Sequence, residues 1–344
     1  MSGILPDGYK PLLDLKRTEQ AIKLVKDTFE RNLSSELRLS RVTSPIFVPR
    51  GSGINDDLNG IERPVRFPVR RLGEAEMEVV QSLAKWKRMA LADYGYKTGT
   101  GLYTDMNALR PDDDIDQIHS IYVDQWDWEL VMKGTDRTKA FLTDIVTRIY
   151  GVLKRTEFAI CEHYHSIHPV LPETITLIHS EDALKRYPDM TPQEREFELA
   201  KEYKAVFIIG IGGKLADGIA HGGRAPDYDD WTTVASDGLA GLNGDIIVWD
   251  PVRQDSLELS SMGIRVNRET LLHQLKLTGN ESRQDLYWHK RLLAGEFPQT
   301  IGGGIGQSRL CMFFLRKAHI GEVQASVWPQ ETLDLCKARG IPLM

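Results

Sequence analysis

The chain has 344 residues, with 43 Lys and Arg against 49 Asp and Glu, a formal net charge of −6 and a pI near 5.9. That balance lacks the positive field a binder of a long phosphate backbone needs, so no nucleic-acid partner is expected. No run approaches the ~18 apolar residues of a membrane span, and MSGILPDGYKPLLD carries no basic-apolar leader, so no membrane partner and a cytoplasmic location are expected.

In chain order, a loose extension over 1–15 is expected to precede a single domain over 16–344. Ala21, Ile22, Val25, Phe29, Leu33 and Leu37 recur every three or four residues and predict a helix over 18–37. Val42, Pro45, Ile46 and Phe47 read as extended, the proline placing them at an edge or interface. GSGINDDLNG, 51–60, is a polar, glycine-flanked loop suited to touching a ligand. VRFPVRR and EMEVV alternate as strands, and helices are predicted over 83–94 and from 139 to about 164. TPQE at 191–194 has a threonine cap, a proline in the first turn and a glutamate three residues after the cap; the helix it starts leads into the strand AVFIIGIG.

DIIVW, LELSSMGIRV and a glycine-rich strand near 301 make the second half strand-rich, with helices at NRETLLHQLKL and after Ser308. The plan is α+β, helices packed on a mostly antiparallel sheet, with no repeat and no linker that separates a second domain. Cys161, Cys311 and Cys336 form no Cys-x-x-Cys, which fits a reducing compartment and speaks against a thiolate zinc cluster or disulfide scaffold.

Four groups of residues carry chemistry. IGGGIGQSRLCMFFL, 301–315, sets Gly302, Gly304 and Gly306 at alternate positions before Arg309. Such a strand lets a flat ring lie on the backbone beside a permanent cation, and the pattern equally fits a glycine-rich loop or a strand kept bare for close packing. LYTDMNALRPDDDIDQIHSIYVDQWDWE, 102–129, runs from a strand ending in Arg110 through an acidic loop to a strand with Asp124, Gln125 and Asp127. Arg110 there suits an α-phosphate held by two parallel hydrogen bonds for in-line attack; the segment also reads as a solvated acidic hairpin. Asp245, Glu258, Ser261 and Arg265 fall near the ends of neighbouring strands. Glu258 is a hard oxygen ligand for a Mg²⁺ bridging triphosphate oxygens and Arg265 can offset the charge on pyrophosphate, although a lone strand glutamate is more often an edge residue or half of a surface ion pair. Lys85, Lys87 and Arg88 suit a carboxylate, and Arg224, Asp227, Asp229 and Asp230 an ammonium. Together they make an amino-acid clamp; separately they read as a helix face and an acidic turn.

Two patterns mislead. GIGGKL at 210–215 lacks the first glycine and the hydroxyl residue of a phosphate loop, and Cys161, His163, His165 and His168 match no standard zinc spacing.

In order, these segments resemble the three signature motifs of class II aminoacyl-tRNA synthetases, especially the aspartate, asparagine and lysine branch. The helix with VTSPIF is similar to motif one, ALRPDDD with HSIYVDQWDWE to motif two, and GGGIGQSR to motif three. SLAKWKR, LYTDMNALRPD, YVDQWDWE, KLADG, RAPDYDDW, GLNGDI, ELSSMGIRV and QTIGGGIGQSRL more closely resemble the ammonia-dependent aspartate ligases of the asparagine synthetase A family, from about residue 16 to the end.

That resemblance implies a homodimer built on an about eight-stranded, mainly antiparallel sheet. It implies an ATP-dependent, Mg²⁺-assisted ligase that converts L-aspartate and ammonia to L-asparagine through a β-aspartyl adenylate, releasing AMP and pyrophosphate. Carried residue by residue, it implies that Arg110 and Arg309 hold phosphates, that Asp245 and Glu258 hold Mg·ATP, and that Ser261, Gly304 and Gly306 meet the nucleotide. Ser82, Lys87, Gln125, Asp127, Asp229 and Arg265 would surround aspartate and its adenylate, and Asp56 would take ammonium and deliver it as ammonia. Asp112 stands where motif two usually has glutamate, and Ser308 where an acid often precedes the arginine.

Synthetases of the aspartate branch carry a separate RNA-binding barrel, which is not expected here because the synthetase-like core begins within the first few dozen residues. A glutamine-fed amidotransferase uses a cysteine nucleophile, yet position 2 is Ser2 and the three cysteines lie outside the motifs. Free ammonia is therefore the expected nitrogen donor; the other readings are a synthetase core charging RNA and a noncatalytic amino-acid-binding paralogue.

Overall fold

The computed structural model describes residues 5–56, 58 and 62–344. The first helix, α1 (Leu15–Leu37), starts where the Asp14 carboxylate accepts the Arg17 N–H at 2.8 Å, and it buries the expected stripe through Ala21, Val25, Phe29, Leu33 and Leu37. Arg38 then adopts a left-handed conformation, φ 54°, and turns the chain into β1 (Leu39–Arg41). β2 (Phe47–Pro49), β3 (Arg66–Val69) and β4 (Ala75–Val79) form a small antiparallel sheet in the order β2-β4-β3.

Helix α2 (Ala84–Asp93), strands β5 (Gly101–Leu109) and β6 (Tyr122–Val131) and the long α3 (Lys139–His163) follow. β7 (Thr176–His179), α4 (Ser180–Arg186), α5 (Pro192–Tyr203) and β8 (Ala205–Ile209) lead to the hairpin of β9 (Asn243–Asp250) and β10 (Asp255–Ile264). At α5 the Thr191 hydroxyl and the Glu194 carboxylate each accept the other's backbone N–H, the reciprocal cap its sequence predicts. The chain ends with α6 (Arg268–Leu277), α7 (Tyr287–Leu293), β11 (Thr300–Gly306), α8 (Gln307–Phe314) and α9 (Gln330–Ala338).

The main sheet has eight strands in the order β1-β5-β6-β11-β10-β9-β8-β7. Its inner pairings are antiparallel, while β1 with β5 and β7 with β8 run parallel, so the sheet is mixed at its two edges. Successive side chains of a strand point to opposite faces, and β6 uses that alternation fully. Trp126 and Trp128 enter the core shared with α1, α3 and α8, Trp126 meeting Phe29 at a ring separation of 4.8 Å. Gln125, Asp127 and Glu129 point the other way. Across five strands Thr104, Asp127, Gly304, Ser261 and Asp245 lie directly opposite one another, which puts them in one row on that second face. Leu83, Leu91, Leu102, Met106 and Trp288 close part of this face as a second apolar cluster, and the rest is open as a cleft.

The N-terminal segment differs from expectation. Leu5 is buried against Ala318, Cys336 and Ile341, and the Tyr9 hydroxyl donates to Glu322 at 3.0 Å, so residues 5–14 dock on the C-terminal segment. Among the described residues no helix is long and apolar enough to cross a membrane.

Candidate active site

A cleft of about 720 Å³ opens on the second face of the sheet. The residues that the family resemblance carries to the site all line it: Asp56, Ser82, Lys87, Arg110, Gln125, Asp127, Asp229, Asp245, Glu258, Ser261, Arg265, Gly304, Gly306 and Arg309.

At the floor, β11 has little room of its own. A Cβ on Gly302 would overlap the Glu129 carboxylate, and one on Gly304 would overlap the Gln125 amide oxygen. The bare backbone therefore serves first to let two polar side chains of β6 lie flat across it. Lys87 reaches this floor from α2. Its buried ammonium donates to Gly303 O at 2.9 Å and pairs with Asp127 Oδ1. Burial lowers the Lys87 pKa, and Asp127 opposes that shift. Asp127 Oδ2, also buried, has no hydrogen-bond partner among the described residues.

Beside it, Arg265 is fully engaged. Nε and Nη2 donate to Glu129 at 3.0 and 2.8 Å, and Nη1 donates to Asp229. Burial works against ionised Glu129, yet Arg265 holds it below its ordinary pKa. Burial wins at Asp229, whose pKa rises although it shares the same guanidinium. The network continues through Arg224, which lies 3.7 Å from Asp229, donates to Ser261 Oγ at 2.6 Å and pairs with Asp245. Desolvation, reinforced by Glu258, pushes Asp245 up to about 7.

At the other end the groups are more open. Arg309 Nη1 is 3.2 Å from Glu258 O and 4.0 Å from its carboxylate, whose side chain is 45% exposed. Arg110 donates Nε and Nη2 to Gln81 O at 3.2 and 3.1 Å. The acidic loop between β5 and β6 adds a His119–Asp116 pair at 2.9 Å, and His119 helps hold Asp116 down to about 2 against burial. Asp112 is held down to about 2 by hydrogen bonds from Arg63. Ser308 accepts from Gln324 at 3.0 Å and donates its backbone N–H to Asp124 at 3.0 Å.

Asp56 enters from the 51–60 loop, of which residues 57, 59 and 60 lie outside the described set. Its carboxyl is buried, receives Leu58 N–H at 3.1 Å and is pushed up to about 6 by desolvation. Ser82 accepts Ala84 N–H at 3.1 Å at the entrance to α2.

The wider amino-acid clamp divides. Lys85 and Asp227 pair with each other at 3.0 Å in the interior, Arg88 donates to Pro298 O and Val266 O, and Asp230 pairs with Arg137. Only Lys87 of the first cluster, and Arg224 and Asp229 of the second, line the cleft. Sequence reasoning missed Glu129, His119 and Tyr228, the last a cleft-lining ring whose centroid is 5.7 Å from the Arg265 guanidinium. Glu129 had one available signal, since it continues the alternation of Gln125 and Asp127; the other two had none.

A magnesium ion fits the donor set. Mg²⁺ is usually bound through one or two carboxylates plus substrate phosphates rather than by a complete protein cage. Asp245, once it exchanges its pairing with Arg224, and Glu258 would supply two hard oxygens, and among the described residues no group of three or more His, Cys, Asp or Glu side chains forms a self-sufficient metal site.

Comparison with known proteins agrees with this geometry. Residues 16–340 match the aspartate-ammonia ligase family. Proteins named aspartate–ammonia ligase from Parabacteroides distasonis and Bacteroides fragilis are 59% and 60% identical, each alignment covering 99% of both chains. One from Clostridium perfringens is 55% identical over 99% of this chain and 98% of its own length. Among solved structures, asparaginyl-tRNA synthetase from Pyrococcus horikoshii, complexed with asparaginyl-adenylate, superposes with a TM-score of 0.65 at 16% identity, over 91% of this chain and 70% of that one. The enzyme from Entamoeba histolytica, in complex with the same adenylate, gives 0.65 at 14% identity over 90% and 66%. At those identities the likeness is one of fold, that of the class II synthetases. The chain belongs to the aspartate–ammonia ligase family.

Proposed function

We propose that the cleft joins ammonia to the side-chain carboxyl of L-aspartate in two steps, with ATP as the activating substrate. A β-carboxylate oxygen of aspartate attacks the α-phosphorus of ATP, the bond from that phosphorus to the β-phosphate oxygen breaks, and pyrophosphate leaves. Ammonia then attacks the acyl carbon of the β-aspartyl adenylate, a proton is lost, and the carbon–oxygen bond to AMP breaks. The gain lies in the leaving group, because a free carboxylate is a poor acyl donor whereas AMP departs readily.

The observation that carries this reading is the polarity of the cleft. Lys87 beside the unpartnered Asp127 Oδ2 offers a cation and an anion for an amino acid's two charges, while Arg309 and Glu258 stand together in a more open part of the cleft, whose lining also carries Arg110, and a triphosphate would lie there. Lys87 and Arg265 would face the α-carboxylate, and Asp127 and Asp229 the α-ammonium. Gln125, lying across Gly304, is placed to orient the carboxyl under attack. Arg110 and Arg309 would hold the phosphates, with Ser261, Gly304 and Gly306 against the nucleotide and Ser82 against aspartate or its adenylate. Asp245 and Glu258 would hold the magnesium that accompanies ATP, whose chemistry there would be to offset charge developing on the leaving pyrophosphate. Asp56, ionised above about pH 6, would bind ammonium and accept its proton.

We infer a homodimer as the working assembly, on the ground that Ile46 and Phe47 in the motif-one segment are 57% and 43% exposed. The reading also takes residues 16–344 as one domain and the cytoplasm as its compartment, in keeping with three free cysteines.

The test is aspartate-dependent exchange of labelled pyrophosphate into ATP, followed by asparagine and AMP formation on adding ammonium, with and without transfer RNA. Exchange without RNA, and asparagine equal to AMP, supports the reading. Charged RNA, or no nucleotide turnover, overturns it.

A further inference from the structure

The loop that carries Asp56 is tied to the sheet at one point. Asn55 Oδ1 accepts two backbone N–H groups, that of Asp56 at 3.0 Å and that of Gln81 at 2.9 Å, and its Nδ2 donates to Val79 O at 3.1 Å. All three contacts are shielded, Asn55 being 7% exposed and Gln81 fully buried. The Gln81 carbonyl, in turn, accepts both Nε and Nη2 of Arg110. One residue, Gln81, therefore receives the ammonia loop on its N–H side and the phosphate-binding arginine on its carbonyl side.

A second tie fixes the start of the loop. Trp288 N–H donates to Ser52 O at 3.1 Å, and Gly53, at φ +72°, packs so closely on the His289 imidazole that a Cβ there would stand 2.8 Å from Nδ1. His289 is itself held at 3.0 Å by Asp227, which Lys85 and Arg283 also reach. Residues 52–56 thus run between an anchor on α7 and an anchor on the end of β4.

We propose that Asn55 is a positioning residue for the ammonia step, setting Asp56 in register with the acyl phosphate that Arg110 holds. This rests on the assignment of Asp56 and Arg110 given above. Its force comes from an asymmetry in how the two are held. The end of β4 is kept in place without Asn55, because Val80 N–H donates to Ile46 O at 3.0 Å and Leu109 N–H donates to Val80 O at 3.3 Å. Losing the Asn55 side chain leaves Gln81 and Arg110 where they are and frees only the ammonia loop. An error of about 1 Å in a reacting group costs on the order of 100-fold in rate, so the second step should fall while the first persists.

The experiment compares wild type, Asn55→Ala and Asn55→Asp in pyrophosphate exchange and in asparagine formation across a range of ammonium concentrations. Asn55→Ala should retain exchange within about twofold while kcat/KM for ammonium falls about 10- to 100-fold. Asn55→Asp keeps an acceptor for both N–H groups and should recover part of the loss. Equal losses in both assays, or unchanged use of ammonium in Asn55→Ala, would overturn the proposal. Wild-type protein that makes no asparagine would instead overturn the functional reading, so the two failures are told apart.

Discussion

Glu129 grips Arg265 through its Nε and Nη2, at 3.0 and 2.8 Å, with both side chains almost wholly buried beside the cleft. The pair lies across Gly302, on which no larger residue would fit, and the remaining arginine donor goes to Asp229. The arginine is thus oriented before any substrate arrives, and little reorganisation is left for the moment of binding. Removing one partner of a buried pair is costly because the other charge stays behind. Glu129→Gln should raise KM for aspartate in the exchange assay by at least about tenfold and lower unfolding stability by about 3–5 kcal/mol in denaturant melts. Unchanged stability and unchanged KM together would show that the fork has no such role.

Gly304→Ala addresses the floor directly. Its new Cβ would displace the Gln125 amide, the far end of a flexible side chain that can swing aside, so the fold is kept while the amide leaves its place. Exchange should drop about 100-fold with the protein still folded, as read by circular dichroism. Gly295→Ala is a contrasting case, since its φ of +77° makes the change a backbone strain remote from the cleft floor, with stability the main quantity to move.

Asp56 gives a pH prediction of definite sign. Burial raises its pKa from 3.8 to about 6, so the native state holds this proton more tightly than the unfolded chain does. Between those values stability falls as pH rises, and above about pH 6 the ionised carboxylate leaves the fold weaker by roughly 3 kcal/mol, an upper figure. Asp56→Asn should therefore be more stable than wild type at pH 8, a gain that disappears toward pH 4. The same variant should keep pyrophosphate exchange and make little asparagine. Wild-type asparagine formation should decline below about pH 6 more steeply than exchange does. Parallel pH profiles for the two assays would remove Asp56 from the ammonia step.

Glu258→Gln tests the magnesium assignment. With one hard oxygen lost, the Mg²⁺ concentration giving half-maximal exchange should rise by about tenfold at fixed ATP, while aspartate binding followed by calorimetry stays close to wild type. An unchanged magnesium profile would move the ion elsewhere in the cleft.

Much of this architecture was written in local pattern. The stripe of α1 and the Thr191 cap of α5 each follow from one period or one cap, and each lies where its spacing puts it. The short parallel edges were not legible, because β1 and β7 have only three and four residues and owe their pairing to distant strands. Nor was the division of the charged clusters. Lys85 and Lys87 stand two apart in sequence, yet one is spent on Asp227 in the interior and the other meets Asp127 at the cleft floor, and only the packing of α2 on the sheet decides which. The docking of Leu5 and Tyr9 on the C-terminal segment escaped for the same reason, its partners lying some three hundred residues away.

The most direct test of the central claim is isotope transfer from aspartate labelled with ¹⁸O in both β-carboxylate oxygens. A route through β-aspartyl adenylate predicts one ¹⁸O in each AMP phosphate and the other in the asparagine amide, with none in pyrophosphate. Label in pyrophosphate or inorganic phosphate, or asparagine formed while AMP stays unlabelled, would contradict it.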